Sequence, residues 1–185
     1  LVWQKDLGDK FMRNTFGEGS TPALHKDRLF YVWDHQKGSF IVALNKRNPE
    51  VFDVYRLNLK TKELALIAEN PGHITEWLPD HDGRIRVATS TDGVNTRLLY
   101  RADEKSPFKT VTTTSFKESI SPQFFSFDNT KLYAASNLNR DKLAFVLIDP
   151  ATATEERVIF EHPDVDAGSL GWSRKRQIIT HATYT

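Results

Sequence analysis

Three adjacent polar residues are the first candidates for chemistry in this sequence. Asp80, His81 and Asp82 stand together, and carboxylate and imidazole groups are common metal ligands. They occupy an Asp-Gly hairpin turn between two predicted strands, at a position where the other rounds of the chain also carry polar residues. The carboxylate spacing of a calcium loop is missing. A turn is the favoured interpretation, and we predict no metal site and no cofactor.

A serine nucleophile is the second chemistry to consider. In an α/β-hydrolase it requires a G-x-S-x-G elbow between a strand and a helix, with Asp and His following. Gly19-Ser20 lacks the flanking pattern, and AGSLG at 167–171 has its glycines at the wrong spacing. The chain has no cysteine, which excludes thiolate catalysis, disulfides and thiolate metal sites. We therefore predict no catalytic residue in this chain.

Asp53 is a carboxylate among apolar neighbours on a predicted strand, 51–59. A buried carboxylate usually accepts hydrogen bonds from a turn or from backbone N–H groups. That structural role is favoured over a functional one.

Composition places the chain among soluble globular proteins, with 39% apolar residues, 26% charged residues and a formal charge of +1. The balanced charge argues against a nucleic-acid or membrane-surface partner. No run approaches the roughly 18 apolar residues of a membrane-spanning helix. The chain starts at Leu1, so a cleaved signal and a longer parent protein both stay open, as do a cytoplasmic and a periplasmic location.

The segment 40–71 has the period-two pattern of an antiparallel meander, which needs similar neighbours to bury its apolar face. The chain repeats this pattern. An aromatic residue near the end of each first strand, at Trp33, Trp77, Phe125 and Trp172, gives separations of about 44, 48 and 47 residues, within the range of propellers and solenoids. We expect these aromatics to pack between repeats rather than to form a ligand cage.

Four short strands per period, without helical periodicity, predict an all-β fold of the β-propeller class. The approximate blades are 28–70, 73–114, 122–161 and an incomplete 168–185, preceded by a poorly defined N-terminal segment, 1–27. About three and a half blades cannot close a ring. We expect a part of a larger propeller that self-associates through its open edge when alone; a four-bladed ring completed by 1–27 is the alternative.

Several stretches resemble the propeller of bacterial serine peptidases of the prolyl oligopeptidase family, which includes the dipeptidyl and acylaminoacyl peptidases. They are NKRNPEVFDVYRLNLKTKEL at 45–64, AENPG at 68–72 and DGRIRVA at 82–88. SFDNTKLYAASN at 126–137 is similar to the family's recurring blade motif, with Phe127 where Pro is common and Asn129 where Gly is common. The resemblance implies a propeller of seven or eight blades that caps an α/β-hydrolase domain.

The same resemblance implies a non-catalytic role. This chain would gate peptide access to the hydrolase domain of its parent peptidase and pack on that domain. The loops between second and third strands (45–50, 89–95 and 137–141) are expected on one face with those that lead into each blade (70–73, 118–122 and 162–167). On this face Lys46, Arg47 and Arg140 could contact peptide carboxylates or the partner domain, although simple solvation is favoured.

Two other functions stay open. A stand-alone propeller of the TolB-like kind would hold a protein partner. A propeller enzyme with a metal in its central channel would need carboxylates or histidines on the innermost strands, where Glu76 is nearly alone.

Overall fold

The computed structural model describes residues 38–185 together with the backbones of two earlier strands, and the described part is all-β. The side chain of Trp33 and most of the predicted segment 1–27 lie outside the described residues. The strands are β1 (Ala23–His25), β2 (Arg28–Trp33), β3 (Ser39–Leu44), β4 (Asp53–Asn58), β5 (Leu64–Ala68), β6 (Ile74–Pro79), β7 (Ile85–Thr91), β8 (Thr96–Tyr100), β9 (Lys109–Thr114), β10 (Ile120–Phe125), β11 (Leu132–Ser136), β12 (Ala144–Ile148), β13 (Glu155–Phe160), β14 (Ala167–Ser173) and β15 (Ile178–Tyr184).

These strands form four antiparallel sheets, each a meander in chain order. The first sheet is β1-β2-β3-β4-β5, the second β6-β7-β8-β9, the third β10-β11-β12-β13, and the fourth is the hairpin β14-β15. Consecutive four-stranded meanders are the blades of a β-propeller, which confirms the predicted fold class. Within the described residues the sheets do not close into a ring. β1 adds a strand to the first sheet that the sequence pattern did not indicate.

Burial falls from the inner strands of a sheet to its last strand. All five residues of β11 are buried, because neighbouring sheets cover both of its faces and its own sheet covers both of its edges. A strand in that position is expected to be continuously apolar rather than alternating. β5 and β13 are last in their sheets, and each leaves an aliphatic residue exposed, Leu66 at 46% and Val158 at 40%.

The core lies between the sheets rather than inside any one of them. Ile41 and Val54 of the first sheet pack on Trp77 and Ala88 of the second. The layers between second and third sheets and between third and fourth sheets are built in the same way. Their principal residues are Leu78, Val87, Leu98, Phe125, Leu132 and Val146 in one layer, and Phe124, Tyr133, Phe145, Leu170 and Trp172 in the other.

Three of the repeating aromatics, Trp77, Phe125 and Trp172, pack between sheets, as predicted, but Trp77 does not share the register position of the other two. Phe125 pairs with Leu132 and Trp172 with Ile179, at the same distance from the turn of each hairpin, whereas Trp77 pairs with Ala88, further from its turn. Each of these hairpins contains register shifts, and their positions differ from sheet to sheet. A β-bulge adds one residue on one strand and re-aims the side chains that follow. The bulge between Leu78 and Pro79 therefore separates Trp77 from its turn, whereas Phe125 and Trp172 follow the register shifts of their hairpins.

No helix in the described part of the chain is long and apolar enough to cross a membrane.

Replacing Phe125 by alanine should lower the free energy of unfolding by about 3–5 kcal/mol, because it leaves a cavity between second and third sheets. Phe125 is 1% exposed, whereas Phe116 is 82% exposed and supplies the matched control. Urea unfolding of both variants measures the difference. Equal unfolding free energies for Phe125→Ala and Phe116→Ala would contradict inter-sheet packing as the basis of the fold.

Candidate functional site on the loop face

The connections between second and third strands lie beside the connections that lead into each new sheet. At the second sheet, the Thr91 N–H donates to the His73 carbonyl (3.1 Å). At the third sheet, the backbone N–H of Ser119 donates to Asn137 Oδ1 (2.6 Å). At the fourth, the Leu143 N–H donates to Asp166 Oδ1 (2.7 Å). We call the surface formed by 45–52, 69–73, 92–95, 115–119, 137–143 and 161–166 the loop face.

Asp53, the first residue of β4, borders the loop face, and its side chain is fully buried. It accepts two hydrogen bonds from Arg47, from Nε to Oδ2 and from Nη2 to Oδ1, each 2.9 Å. It also accepts the backbone N–H of Asn70 at Oδ1 (2.8 Å). The predicted structural role of Asp53, as an acceptor for a backbone donor, is confirmed. The hydrogen bond to Asp53 also raises the pKa of Arg47 above its ordinary value.

Arg47 and Asn70 extend this contact into the connection between first and second sheets. Arg47 Nη2 donates to the Asn70 carbonyl (2.8 Å), and Asn70 Oδ1 accepts the N–H groups of Gly72 (2.8 Å) and Ile74 (3.1 Å). Gly72 has φ +112°, a conformation that favours glycine. The network therefore fixes the direction in which the chain enters β6.

Arg140 is also engaged within the protein. Its Nη2 donates to Glu155 Oε2 (2.7 Å), and Glu155 Oε1 accepts the hydroxyl of the buried Ser136 (2.8 Å). Arg140 borders an open depression of about 330 Å³ that carries both signs of charge. The other lining residues are Asp141, Lys142, Glu161, His162 and Pro163.

The three cations predicted as loop-face contacts are not brought together. Lys46 and Arg47 belong to the first sheet and Arg140 to the third, with the loops of the second sheet between them. Lys46 is exposed, and no hydrogen bond or ion pair ties it to another described residue. The role of these cations toward peptides stays a prediction.

Two exposed apolar side chains on the loop face were missed by the sequence reasoning. Val94 is 66% exposed and Phe116 is 82% exposed. They lie at the same end of the β8–β9 pair. Thr96 is opposite Thr114, Val94 lies two positions before Thr96, and Phe116 lies two positions after Thr114. The signal was present in the sequence, as one bulky apolar residue inside each of two polar turns, DGVN at 92–95 and SFKE at 115–118.

Internal hydrogen bonds fix the backbone of both turns. Asp92 Oδ1 accepts the N–H groups of Val94 (3.1 Å) and Asn95 (2.8 Å). These bonds, with that from the Asn95 N–H the largest cause, lower the pKa of Asp92 to about 2, so it stays ionised. In the other turn the Glu118 N–H donates to the Ser115 carbonyl (3.1 Å), and the Lys117 ammonium lies 5.9 Å from the centre of the Phe116 ring.

Asp80 and His81, which were considered as metal ligands, bind separate groups of the protein. Asp80 Oδ1 accepts the N–H groups of Asp82 and Arg84, both at 2.9 Å. His81 Nε2 lies 2.9 Å from the Phe125 carbonyl. Within the described residues, no group of three or more His, Asp or Glu side chains is arranged to hold a metal ion.

The AGSLG segment lies in β14 rather than at a turn between a strand and a helix. Its serine, Ser169, shares a hydrogen bond with the Thr183 hydroxyl (2.8 Å). Gly171 lies opposite His181, and an added Cβ would come within 2.2 Å of the imidazole Cε1. The glycine therefore serves a close side-chain approach across the hairpin, and the segment provides no nucleophile elbow.

No protein-family profile and no curated protein matches the chain. Among solved structures, one titled as the crystal structure of puromycin hydrolase matches with a TM-score of 0.44 and 16% sequence identity. The match covers 74% of this chain and 22% of that protein, so this chain spans about a fifth of its length. The propeller assignment stands on the order and packing of the sheets themselves.

Replacing Arg47 by methionine should lower Tm by several degrees, because it leaves the buried Asp53 carboxylate without its cation. Methionine keeps most of the apolar stem. Lys46→Met removes a neighbouring charge that has no described partner and should leave Tm nearly unchanged. Differential scanning calorimetry of both variants tests this contrast, and equal Tm values would show that the Arg47–Asp53 contact contributes nothing.

Proposed function

We propose that this chain is a non-catalytic propeller section of a serine peptidase, which packs on an α/β-hydrolase domain of the parent protein and restricts peptide access to it. One observation carries the proposal: the stretches that resemble the prolyl oligopeptidase family meet at one blade boundary. The stretch 45–64 spans the loop before β4 and β4 itself, 68–72 leads into β6, and 82–88 leads into β7. Asp53, Arg47 and Asn70 join the first two stretches directly.

The loop face offers a docking point for the hydrolase domain. Protein interfaces concentrate their binding energy in a few residues, often aromatic, that are desolvated in the partner's pocket. Val94 and Phe116 are exposed on adjacent turns whose backbone is held by internal hydrogen bonds. Little conformational freedom is then lost on association, which favours binding. We assign this pair, the apolar anchor, to the contact with the hydrolase domain.

A restricting role agrees with the absence of a nucleophile elbow in the described residues. The propeller would narrow the route to the active site, so that short or unfolded peptides pass and folded proteins do not. Lys46, exposed on the same face, is free to meet a peptide carboxylate.

The apolar anchor also fits the alternative function, a stand-alone propeller of the TolB-like kind that binds a protein partner. The two functions differ in what the parent reading frame encodes. A G-x-S-x-G elbow with later Asp and His supports the peptidase. A stop codon soon after Thr185 would leave only the binding module.

The isolated chain should show no turnover of short peptide p-nitroanilides and no labelling by a fluorophosphonate probe, because its sequence contains no G-x-S-x-G elbow to activate a serine. A parent peptidase assayed alongside is the positive control. Hydrolysis by the isolated chain that a serine-directed inhibitor abolishes would contradict the assignment.

In the parent protein, the double substitution Val94→Ser and Phe116→Ser should loosen the contact with the hydrolase domain and raise the hydrolysis of long peptides relative to dipeptide substrates several-fold. Val158→Ser is the matched control, since Val158 is also exposed but lies on the outer strand β13. The ratio of kcat/KM for a long and a short substrate is the measurement. An unchanged ratio in the double variant would show that the apolar anchor does not contact the hydrolase domain.

A further inference from the structure

The turns that join the first and second strands of the second, third and fourth sheets meet at the strand ends remote from the loop face. We call these segments, 80–84, 126–131 and 174–177, the inner turns. One residue, His81 in the turn of the second sheet, contacts both of the other sheets. Its backbone N–H donates to Asn129 Oδ1 (2.8 Å), and its imidazole Nε2 lies 2.9 Å from the Phe125 carbonyl. Its backbone carbonyl accepts a hydrogen bond from Arg174 Nη2 (2.7 Å). The last bond joins the second sheet to the fourth, across the third.

Aromatic rings fill the space beside this junction. The His81 ring stacks on Phe127, with centroids 5.5 Å apart and planes 16° apart, and meets the edge of Trp172 at 5.3 Å. Trp172 in turn stacks on the buried Phe124 at 5.1 Å. These four rings belong to the innermost strands β6, β10 and β14 or to the turns that follow them. The strands are thus held together on the axial side of the sheets.

The charged groups around His81 come from all three inner turns and from β7. Asp80 and Asp82 precede and follow it, and Arg174 approaches from the fourth sheet. Arg84 pairs with Asp82 at 3.2 Å, and Arg86 lies 3.6 Å from Asp80 and donates to the Asn129 carbonyl. On the third sheet, Asp128 accepts bonds from Ser126 and Thr130 of its own turn. The surroundings hold carboxylates and cations, with Arg174 bound to His81 itself.

We propose that His81 is the titratable element of a latch that joins the inner turns of the second, third and fourth sheets and releases them in mildly acidic conditions. The neutral imidazole with its proton on Nε2 can donate to the Phe125 carbonyl while the ring stays in contact with Phe127 and Trp172. A second proton on the ring puts a cation among these rings beside Arg174. The released state exposes the ring to water, which favours the imidazolium ion.

The direction of the pH dependence follows from the pKa of His81, which burial lowers below its ordinary value near 6.5; Arg174 lowers it further, while the Phe125 carbonyl, Asp80 and Asp82 act in the opposite sense. A lowered pKa means that the closed state binds fewer protons than the released one. The contribution of the latch is therefore fully present above pH 6.5 and is lost as pH falls through the pKa of the closed state.

Distances between spin labels test the latch, and the absence of cysteine from the chain makes specific labelling simple. Arg84→Cys and Lys175→Cys place labels on exposed side chains of the second and fourth inner turns. Pulsed electron–electron double resonance should show one short distance at pH 7.5 and an added longer population at pH 5.0. An unchanged distribution at pH 5.0 would overturn the proposal.

His81→Gln separates the titration of the ring from other effects of acid. Glutamine keeps a side-chain N–H donor for the Phe125 carbonyl and cannot be protonated, so the longer population should not appear. A control label pair within the third sheet, Thr130→Cys with Arg157→Cys, should not change with pH. The same lengthening in His81→Gln, or an equal change in the control pair, would assign the effect to other groups or to unfolding.

The unsubstituted chain supplies a measurement that does not depend on variants that must fold. An NMR titration of the His81 imidazole should give a midpoint below 6.5. A midpoint at or above 6.5 would contradict the latch.

Discussion

The whole structure depends on one constraint: each inner sheet has two apolar faces, and a neighbouring sheet on each side is needed to bury them. Val87 and Ala88 are adjacent on β7, yet both are 1% exposed, because Val87 packs toward the third sheet and Ala88 toward the first. Hydrophobic burial favours this stacking in proportion to the apolar area removed from water. A single blade would leave both faces in water. The need to bury these faces therefore accounts both for the repeat of about 45 residues and for the stacking of the sheets.

Arginine side chains tie the sheets at their edges, where the apolar layers end. Arg56 of the first sheet donates to Glu104 (2.9 Å) and to the Gly83 carbonyl (2.9 Å) of the second. Arg86 of the second sheet donates to the Asn129 carbonyl (2.8 Å) of the third, and Arg174 reaches from the fourth sheet to His81. A planar guanidinium can bind several backbone and carboxylate oxygens at once, which suits it to such boundaries. Hydrophobic packing is not directional, and these hydrogen bonds fix the orientation of one sheet relative to the next.

The sequence was sufficient for the fold class and for the role of Asp53, because local patterns indicate both: alternation and turn residues for the fold, and a carboxylate among apolar neighbours for Asp53. It was not sufficient for side-chain register. Trp77, Phe125 and Trp172 look equivalent in spacing, but a bulge between Leu78 and Pro79 places Trp77 differently from the other two. The partners of Arg47 and Arg140 depend on connections between strands that spacing does not define.

The candidate site was predictable only as a surface. The loop face follows from the alternation of short turns and longer connections in each meander. Its apolar anchor does not, since Val94 and Phe116 interrupt polar turns and only the pairing of Thr96 with Thr114 brings the two turns to one end of the sheet. The junction at His81 involves residues 93 positions apart, and no local pattern reports such a contact.

These sheets are propeller blades, and their loop face is proposed to meet a catalytic domain. An experimental structure of the parent protein, by crystallography or electron cryo-microscopy, tests it most directly. We expect further blades that continue the ring beyond β15 and an α/β-hydrolase domain seated on the loop face over Val94 and Phe116. A catalytic domain on the side of the inner turns, or a parent without such a domain, would contradict it.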